Sequence, residues 1–366
     1  MRRVGAVLLR ALVILPGGWT VDRTSERTVA AFLRNSLRPT PTVTAAFEYR
    51  GKHCKFLLKL EGENITGSIK DRTASGLILM LERERPLTPG TVVIESTSGN
   101  LGIAMASLLR QIDCRCIAVI DPRTPAATRE RLSLWGAETV LIDEPDQYGG
   151  YLVSRLREVA RLLDGNPGYR WPDQYRNHAN PRIHELTTGR EIAEQGGPAC
   201  DGVYVAVSTG GTLAGVSSYL RRHRPDMRIV AVDAVGSQAI TDSTGRRLVP
   251  GIGSSLRSSF LDETCYDDFA AIGAAESFAM CRVLRDDLKI TVGGSSGSVI
   301  YAMVTGTGRR ETSLPMCLCP DDGTKYLDTF YSDRWLADIG LLDQTTAAID
   351  RLRSDGLSFR PERSST

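Results

Sequence analysis

The sequence predicts an α/β protein of two units with a cleft between them, on three observations. Strand-like and helix-like runs alternate along most of the chain, which is the pattern of a parallel sheet covered by helices. Two small-residue turns of similar make-up, Ser96-Thr97-Ser98-Gly99-Asn100-Leu101-Gly102 and Ser208-Thr209-Gly210-Gly211-Thr212-Leu213, each join an apolar strand to a helix. At 366 residues the chain is long enough for two domains, and needs no disulfide staple to bury a core.

The elements follow in order. Met1-Arg2-Arg3 precedes an apolar run over 4–15 broken by Arg10; it imitates a signal peptide, but lacks a clear small-x-small site. The run is also too short to span a bilayer. The remaining readings are an amphipathic arm, a subunit contact or an over-long start. Residues 91–95 read as a buried strand, 103–109 as an apolar helix, 116–120 as a strand, 128–135 as a helix and 139–142 as a third strand. The stretch 143–181, rich in Gly, Pro, Asn and aromatic residues, is expected to contain the crossing between the units. A second series begins with strand 203–207, helix 213–222 and strand 228–232. Helix 299–304 follows a Gly/Ser turn, and after residue 341 the pattern predicts a charged helix and then a frayed Ser/Arg/Pro tail.

Composition excludes several functions. Lys+Arg 45 against Asp+Glu 43 gives a net charge of +2, too small a field to gather nucleic acid or an anionic membrane, so a small-molecule partner is expected. The eight cysteines include no CxxC pair, so no zinc or other metal site is expected; buried reduced thiols in a cytoplasmic protein account for them. Only six of the basic residues are lysines, Lys52, Lys55, Lys59, Lys70, Lys289 and Lys325.

Four loops carry candidate chemistry. Lys70 follows the polar turn Asn64-Ile65-Thr66-Gly67-Ser68 and precedes an apolar helix predicted over 74–81. The helix dipole and desolvation there both lower an amine pKa toward the free base that Schiff-base chemistry needs, the alternative being a surface lysine. Ser96 to Asn100 could form a nest for a carboxylate or simply a helix cap. Ser208, Thr209, Gly210, Gly211 and Thr212 could cradle a phosphate at a helix N-terminus or form a plain tight turn; the lysine of a P-loop is missing. In Val292-Gly293-Gly294-Ser295-Ser296-Gly297-Ser298 a hydroxyl could face a ring nitrogen, or the segment could be a connector.

Together and in this order the four loops resemble the cysteine synthase and cystathionine β-synthase family of fold-type-II pyridoxal-phosphate (PLP) enzymes, over about residues 47–338. The resemblance implies a tryptophan synthase β-like fold of two three-layer α/β/α domains with the cofactor in the cleft. Its parts would be an N-terminal arm (1–35), a larger PLP-binding domain (36–65 and 177–340), a smaller mobile domain (66–176) and a C-terminal tail (341–366). By resemblance Lys70 would hold the cofactor as a Schiff base and move the Cα proton, and Asn100 would meet the phenolic oxygen. Ser208 through Thr212 would hold the phosphate, and Ser295 would face the pyridine nitrogen. Thr97, Ser98, Gly99 and Leu101 form the loop for the substrate carboxylate, with Gln174, whose Gln-Tyr-Arg-Asn-His-Ala-Asn-Pro resembles the family's Gln-x-x-Asn-x-x-Asn-Pro. A serine at the pyridine nitrogen leaves it largely unprotonated, which favours elimination over transamination.

Departures point to the substrate. The family usually has Thr where this chain has Leu101, and Gly where it has Ser208. The mouth loop Gly251-Ile252-Gly253-Ser254-Ser255-Leu256-Arg257-Ser258-Ser259 adds a cation and serines suited to a phosphate leaving group. These features are similar to the synthases of 2,3-diaminopropionate pathways in siderophore and peptide-antibiotic biosynthesis, which join O-phospho-L-serine to L-glutamate and yield N-(2-amino-2-carboxyethyl)-L-glutamate. On this resemblance Arg257, Arg176 and Arg123, in that order, are candidates for the glutamate carboxylates, and a homodimer is expected. The alternatives are a cysteine synthase using O-acetyl- or O-phospho-L-serine with a sulfur nucleophile, cystathionine β-synthase-like chemistry, a non-catalytic paralogue and a dehydratase.

Overall fold

A computed structural model describes residues 13–15, 19–21, 38–97, 99–147, 150–306 and 313–362. Of the N-terminal arm it describes a short antiparallel pair, β1 (Val13–Leu15) with β2 (Trp19–Val21). The rest of the arm and Ser98 lie outside the described residues. β3 (Thr42–Tyr49) and β4 (Lys52–Leu60) form an antiparallel hairpin that turns on Arg50 and Gly51. Both turn residues have positive φ (51° and 71°), the left-handed pair that matches strand twist in a two-residue turn.

α1 (Lys70–Glu84), β5 (Val92–Ser96), α2 (Asn100–Arg110), β6 (Arg115–Ile120), α3 (Ala126–Leu134), β7 (Glu138–Leu141) and α4 (Leu152–Gly165) alternate next. α5 (Ala179–His184) runs through a π turn (Glu185–Gly189) into α6 (Arg190–Gly196). Then come β8 (Gly202–Ala206), α7 (Gly211–His223), β9 (Arg228–Ala234), β10 (Asp268–Ile272), α8 (Ala274–Leu288), α9 (Gly294–Thr305) and β11 (Pro315–Cys319). α10 (Asp333–Asp338), α11 (Leu342–Ser354) and β12 (Ser358–Pro361) close the chain.

Two sheets organise these elements. The larger has seven strands in the order β10-β9-β8-β11-β4-β3-β12, parallel from β10 to β4 and antiparallel at β4-β3 and β3-β12. The smaller, β5-β6-β7, is wholly parallel. Parallel strands covered on both faces are buried along their whole length, as every residue of β5 and β11 is; Glu95 and Ser96 are the polar exceptions, at the end of β5 next to the site.

The predicted strands and helices recur with bounds shifted by a few residues, and four differences have physical causes. The hairpin β3-β4, bracketed by Pro41 and Gly62, is additional to the predicted elements; it pairs with β11 and β12 across long stretches of chain, which local sequence does not show. The expected crossing contains α4, whose buried Leu152 and Val159 stand on the face toward the small sheet. The Gly/Ser stretch before 299 is the first turns of α9, not a turn ahead of it. Gly297 lets α9 lie so close to α8 that a Cβ there would collide with the Ser277 carbonyl oxygen. The expected frayed tail is corrected as well: β12 pairs with β3, and Phe359, 6% exposed, packs on Phe47 and Phe56.

Candidate active site

A cavity opens at the carboxyl ends of the neighbouring strands β8 and β11, where ligands of parallel sheets bind. Residues at the N-termini of four helices line it: Lys70 of α1, Asn100 of α2, Gly210 and Thr212 of α7, and Ser295 of α9. The first-turn N–H groups of a helix have no carbonyl ahead of them, and the dipole adds positive potential, so four such ends make the cavity a place for an anion. α1 starts four residues before its predicted start, which puts Lys70 at the helix end itself.

Lys70 is enclosed by protein on most sides and partly exposed to the cavity. Burial pushes its amine down to about 8, against the opposing pull of the Asp321 carboxylate. Asp321 sits just past β11 and is 4% exposed. Its Oδ2 accepts from Asn100 Nδ2 at 2.9 Å and Tyr326 OH at 2.8 Å and pairs with Lys325 Nζ at 2.8 Å, while Oδ1 has no hydrogen-bond partner. Lys325 Nζ also donates to Asn100 Oδ1. The Asn100 amide is thereby fixed in orientation, with one amide hydrogen left over for a ligand. The sequence reading missed Asp321, Lys325 and Tyr326. Their signal was the polar Pro320-Asp321-Asp322 directly after a buried strand, the usual site position in a parallel sheet.

The loop after β8 is held from behind. Gly210 adopts φ 89°, the left-handed conformation that glycine takes without strain. Asn180 Nδ2 donates to Thr209 Oγ1 at 3.3 Å, Ser258 Oγ donates to the Thr209 carbonyl at 2.7 Å, and Ser208 Oγ donates to the Gly253 carbonyl at 3.1 Å. A Cβ on Gly211 would overlap the Asn180 side chain. Thr212 Oγ1 stands 3.4 Å from Nε2 of the buried His184, whose proton affinity burial pushes well below the usual range, so that a neutral imidazole faces the loop. Ser295, 1% exposed, forms the wall near Gly251.

A wider cleft of about 470 Å³ continues outward from Lys70. Thr97, Gly99, Leu101 and Gln174 line it. Thr97 Oγ1 accepts the Gly102 N–H at 3.1 Å, so the hydroxyl caps α2 and keeps its hydrogen for another acceptor. Leu101 is buried in the core beneath α1 and α2. Gln174 is placed by its backbone N–H on Glu95 Oε2 at 3.2 Å and its Nε2 on the Ser96 carbonyl at 2.9 Å. Burial pushes the Glu95 carboxyl up to about 8, against the N–H groups of Gln174 and Ser96 and the Trp171 indole that it accepts from.

Of the three arginine candidates the structure brings one into the cleft. Arg123 lines it, its guanidinium 5.1 Å from the Tyr151 ring centroid. Arg257 is exposed, 3.8 Å from Asp242, and Arg176 is exposed; neither lines the cleft. Arg155, Arg246 and Arg247 line it instead. They gave no sequence signal, because an arginine on an amphipathic helix or a polar loop reads as solvated surface.

The model of the pyridoxal-phosphate dependent enzyme family matches residues 33–315. The chain belongs to that family. It is 38% identical over 312 residues, 85% of this chain and 92% of the relative, to N-(2-amino-2-carboxyethyl)-L-glutamate synthase of Ralstonia nicotianae. Among solved structures it is similar to O-ureido-L-serine synthase (27% identity, 84% of this chain and 98% of that one, TM-score 0.73). A hydrogen sulfide-producing enzyme of Fusobacterium nucleatum shares the fold (22% identity, 92% and 97% covered, TM-score 0.78). The protein is a fold-type-II PLP enzyme, as the resemblance implied.

The residues present fit PLP in kind. A lysine amine near its free-base range suits the aldehyde, helix ends and small-residue turns suit the phosphate, and a buried serine hydroxyl suits the ring nitrogen.

Proposed function

We propose that this PLP-dependent transferase joins O-phospho-L-serine to L-glutamate, giving N-(2-amino-2-carboxyethyl)-L-glutamate and phosphate for L-2,3-diaminopropionate biosynthesis, in siderophore or peptide-antibiotic pathways. The observation that carries the reading is the likeness to the Ralstonia nicotianae synthase across 85% of this chain. Leu101, Ser208 and the arginine-lined cleft support it. The reading includes a homodimer in the cytoplasm; the absence of disulfides among all eight cysteines suits a reducing compartment.

In this reading Lys70 carries the cofactor, the loop from Ser208 to Thr212 with the α7 dipole holds its phosphate, Asn100 meets the phenolic oxygen and Ser295 the ring nitrogen. PLP supplies the electron sink that makes the Cα proton of O-phosphoserine acidic. Thr97, Gln174 and the α2 N-terminus orient the substrate carboxylate, and Ser98 and Gly99 complete that loop. Lys70 Nζ, freed by the substrate amine, takes the Cα proton; the Cβ–O bond breaks and phosphate leaves with the electron pair. The glutamate amine then forms the new bond to Cβ and loses a proton, and Lys70 returns a proton to Cα. The network of Asp321, Lys325 and Tyr326 keeps Asn100 fixed through the cycle.

Purified protein incubated with O-phosphoserine and either glutamate or sulfide tests the reading by mass spectrometry. The expected product is the glutamate adduct with stoichiometric phosphate. Cysteine without the adduct would establish the sulfur-using alternative, keto acid without a second substrate a dehydratase, and no turnover a non-catalytic paralogue. Lys70→Ala is expected to lose the visible absorbance of the loaded enzyme and at least 10³-fold in turnover, about 4 kcal/mol.

A further inference from the structure

Asn180 stands at the start of α5, 1% exposed, between the two halves of the site. Its Nδ2 donates to the Gln174 carbonyl at 2.8 Å and to Thr209 Oγ1 at 3.3 Å. The Gln174 carbonyl can only accept, so it fixes which end of the amide is nitrogen, and both Nδ2 hydrogens are engaged. Oδ1 is buried with no hydrogen-bond partner among the described residues. An unsatisfied buried carbonyl costs stability, so the amide is placed here for its two donor bonds.

Each acceptor belongs to a residue that faces a ligand position. Thr209 lines the inner cavity; its Oγ1 accepts from Asn180 and from the Gly211 N–H at 3.5 Å, which leaves the hydroxyl hydrogen for an oxyanion. Gln174 lines the outer cleft, where one Nε2 hydrogen goes to the Ser96 carbonyl and the other is left for a ligand. Just before it, Asp173 adopts φ 49°, a left-handed conformation that costs a non-glycine residue energy and is held by the contacts around it. α5 is a stiff mount for the amide, wedged between α1 and α7. A Cβ on Gly76 of α1 would collide with the Ala179 carbonyl, and one on Gly215 of α7 with the Pro181 carbonyl. A side chain on a packed helix holds its position more closely than one on a loop.

We propose that Asn180 is a positioning residue that couples the two sites, its one amide group holding Thr209 toward the cofactor phosphate and Gln174 toward the substrate carboxylate. A shift of the phosphate loop is thereby felt at the carboxylate site. The proposal rests on the roles given above to Thr209 and Gln174, and it does not depend on which nucleophile the enzyme uses.

The test uses PLP-loaded wild type, Asn180→Ala, Asn180→Asp, Thr209→Val and the double variant of Asn180→Ala with Thr209→Val. Absorbance titrations read the affinity for two probes, L-alanine, which has the substrate's amine and carboxylate without a leaving group, and ethylamine, which has the amine alone. Fluorescence titration of the cofactor-free proteins reads PLP affinity. Asn180→Ala is expected to weaken both PLP and L-alanine about fivefold to tenfold, with ethylamine changed about twofold at most. Thr209→Val is expected to lower the ratio of L-alanine to ethylamine affinity roughly threefold where Asn180 is present, and to leave it unchanged in Asn180→Ala. Equal losses for the two probes mark a structural role and overturn the proposal. So do effects of the two substitutions on that ratio that simply multiply in the double variant, and so does wild type that does not bind L-alanine. If Asn180→Ala does not fold, Asn180→Asp, which keeps the volume and removes the donors, carries the comparison. Thr209→Val with an unchanged ratio overturns the proposal with no substitution at Asn180 at all. Wild type that shows the coupling but makes no glutamate adduct overturns the functional reading alone, and adduct formation without the coupling overturns this proposal alone.

Discussion

Lys70 shows how a single residue type is turned to a task by its place. Burial lowers its amine to about 8 from 10.5, although Asp321 pulls the other way. The unfolded chain therefore binds the extra proton between those values, and this residue's contribution to the stability of the cofactor-free protein rises with pH across that window. Schiff-base formation needs the free amine. The rate at which cofactor-free protein takes up PLP is expected to climb about tenfold per pH unit below 8 and to level off there; stopped-flow absorbance measures it, and a rise continuing past pH 10 would contradict the assigned environment. Gly211 makes a steric statement of the same kind. Gly211→Ala pushes on Asn180 and hence on Thr209, and is expected to weaken PLP affinity at least tenfold in a fluorescence titration.

Among the elements, α1 is anchored by buried charge. Arg72 in its first turn donates to Glu61 Oε2 at 2.7 Å and to Glu191 Oε2 at 2.8 Å, and Lys59 Nζ donates to Glu191 Oε2 at 2.7 Å. These two cations and two anions, all essentially buried, tie β4, α1 and α6 together in the same helical turn as Lys70. Arg72→Met leaves two carboxylates facing one lysine and is expected to cost about 3–5 kcal/mol in urea unfolding. Burial alone would push Glu61 up, but Arg72 and Lys59 hold it down at about 2. Its folded value lies below its ordinary 4.5, so the stability it contributes is present above that pH and is lost as pH falls toward 2. Acid titration followed by circular dichroism is expected to show this loss, smaller in Arg72→Met.

At the scale of the molecule, the site and the far edge of the large sheet are separable. The cavity opens beside β8 and β11, whereas β12 is the edge strand beyond β3. Phe359→Ala is expected to destabilise the protein by about 3 kcal/mol or more through loss of packing on Phe47 and Phe56. Its kcat at temperatures well below melting should match wild type, because β3 and β4 stand between that edge strand and β11. Thermal melts and steady-state assays on one preparation check both halves.

Much of this is legible in the sequence. Lys70, Asn100, Ser208, Thr209, Gly210, Thr212 and Ser295 line one cavity, and each stands at or just before the start of a helix; the Asn100 and Ser208 loops follow parallel strands directly, the usual place for a ligand, whereas the Ser295 segment joins α8 to α9. The strand-helix alternation was enough for the fold class, and the ordered set of loops, through the family it resembles, pointed to the candidate site. Long-range geometry alone decided the rest. Asp321 and Lys325 meet Asn100 across more than 200 residues, β12 becomes a strand only because β3 offers an edge and an aromatic cluster, and Arg257 and Arg155 read alike as charged residues in sequence. One of those two arginines is solvated and the other is buried with unsatisfied donors, since desolvation depends on what packs around a side chain, and local sequence does not encode that neighbourhood.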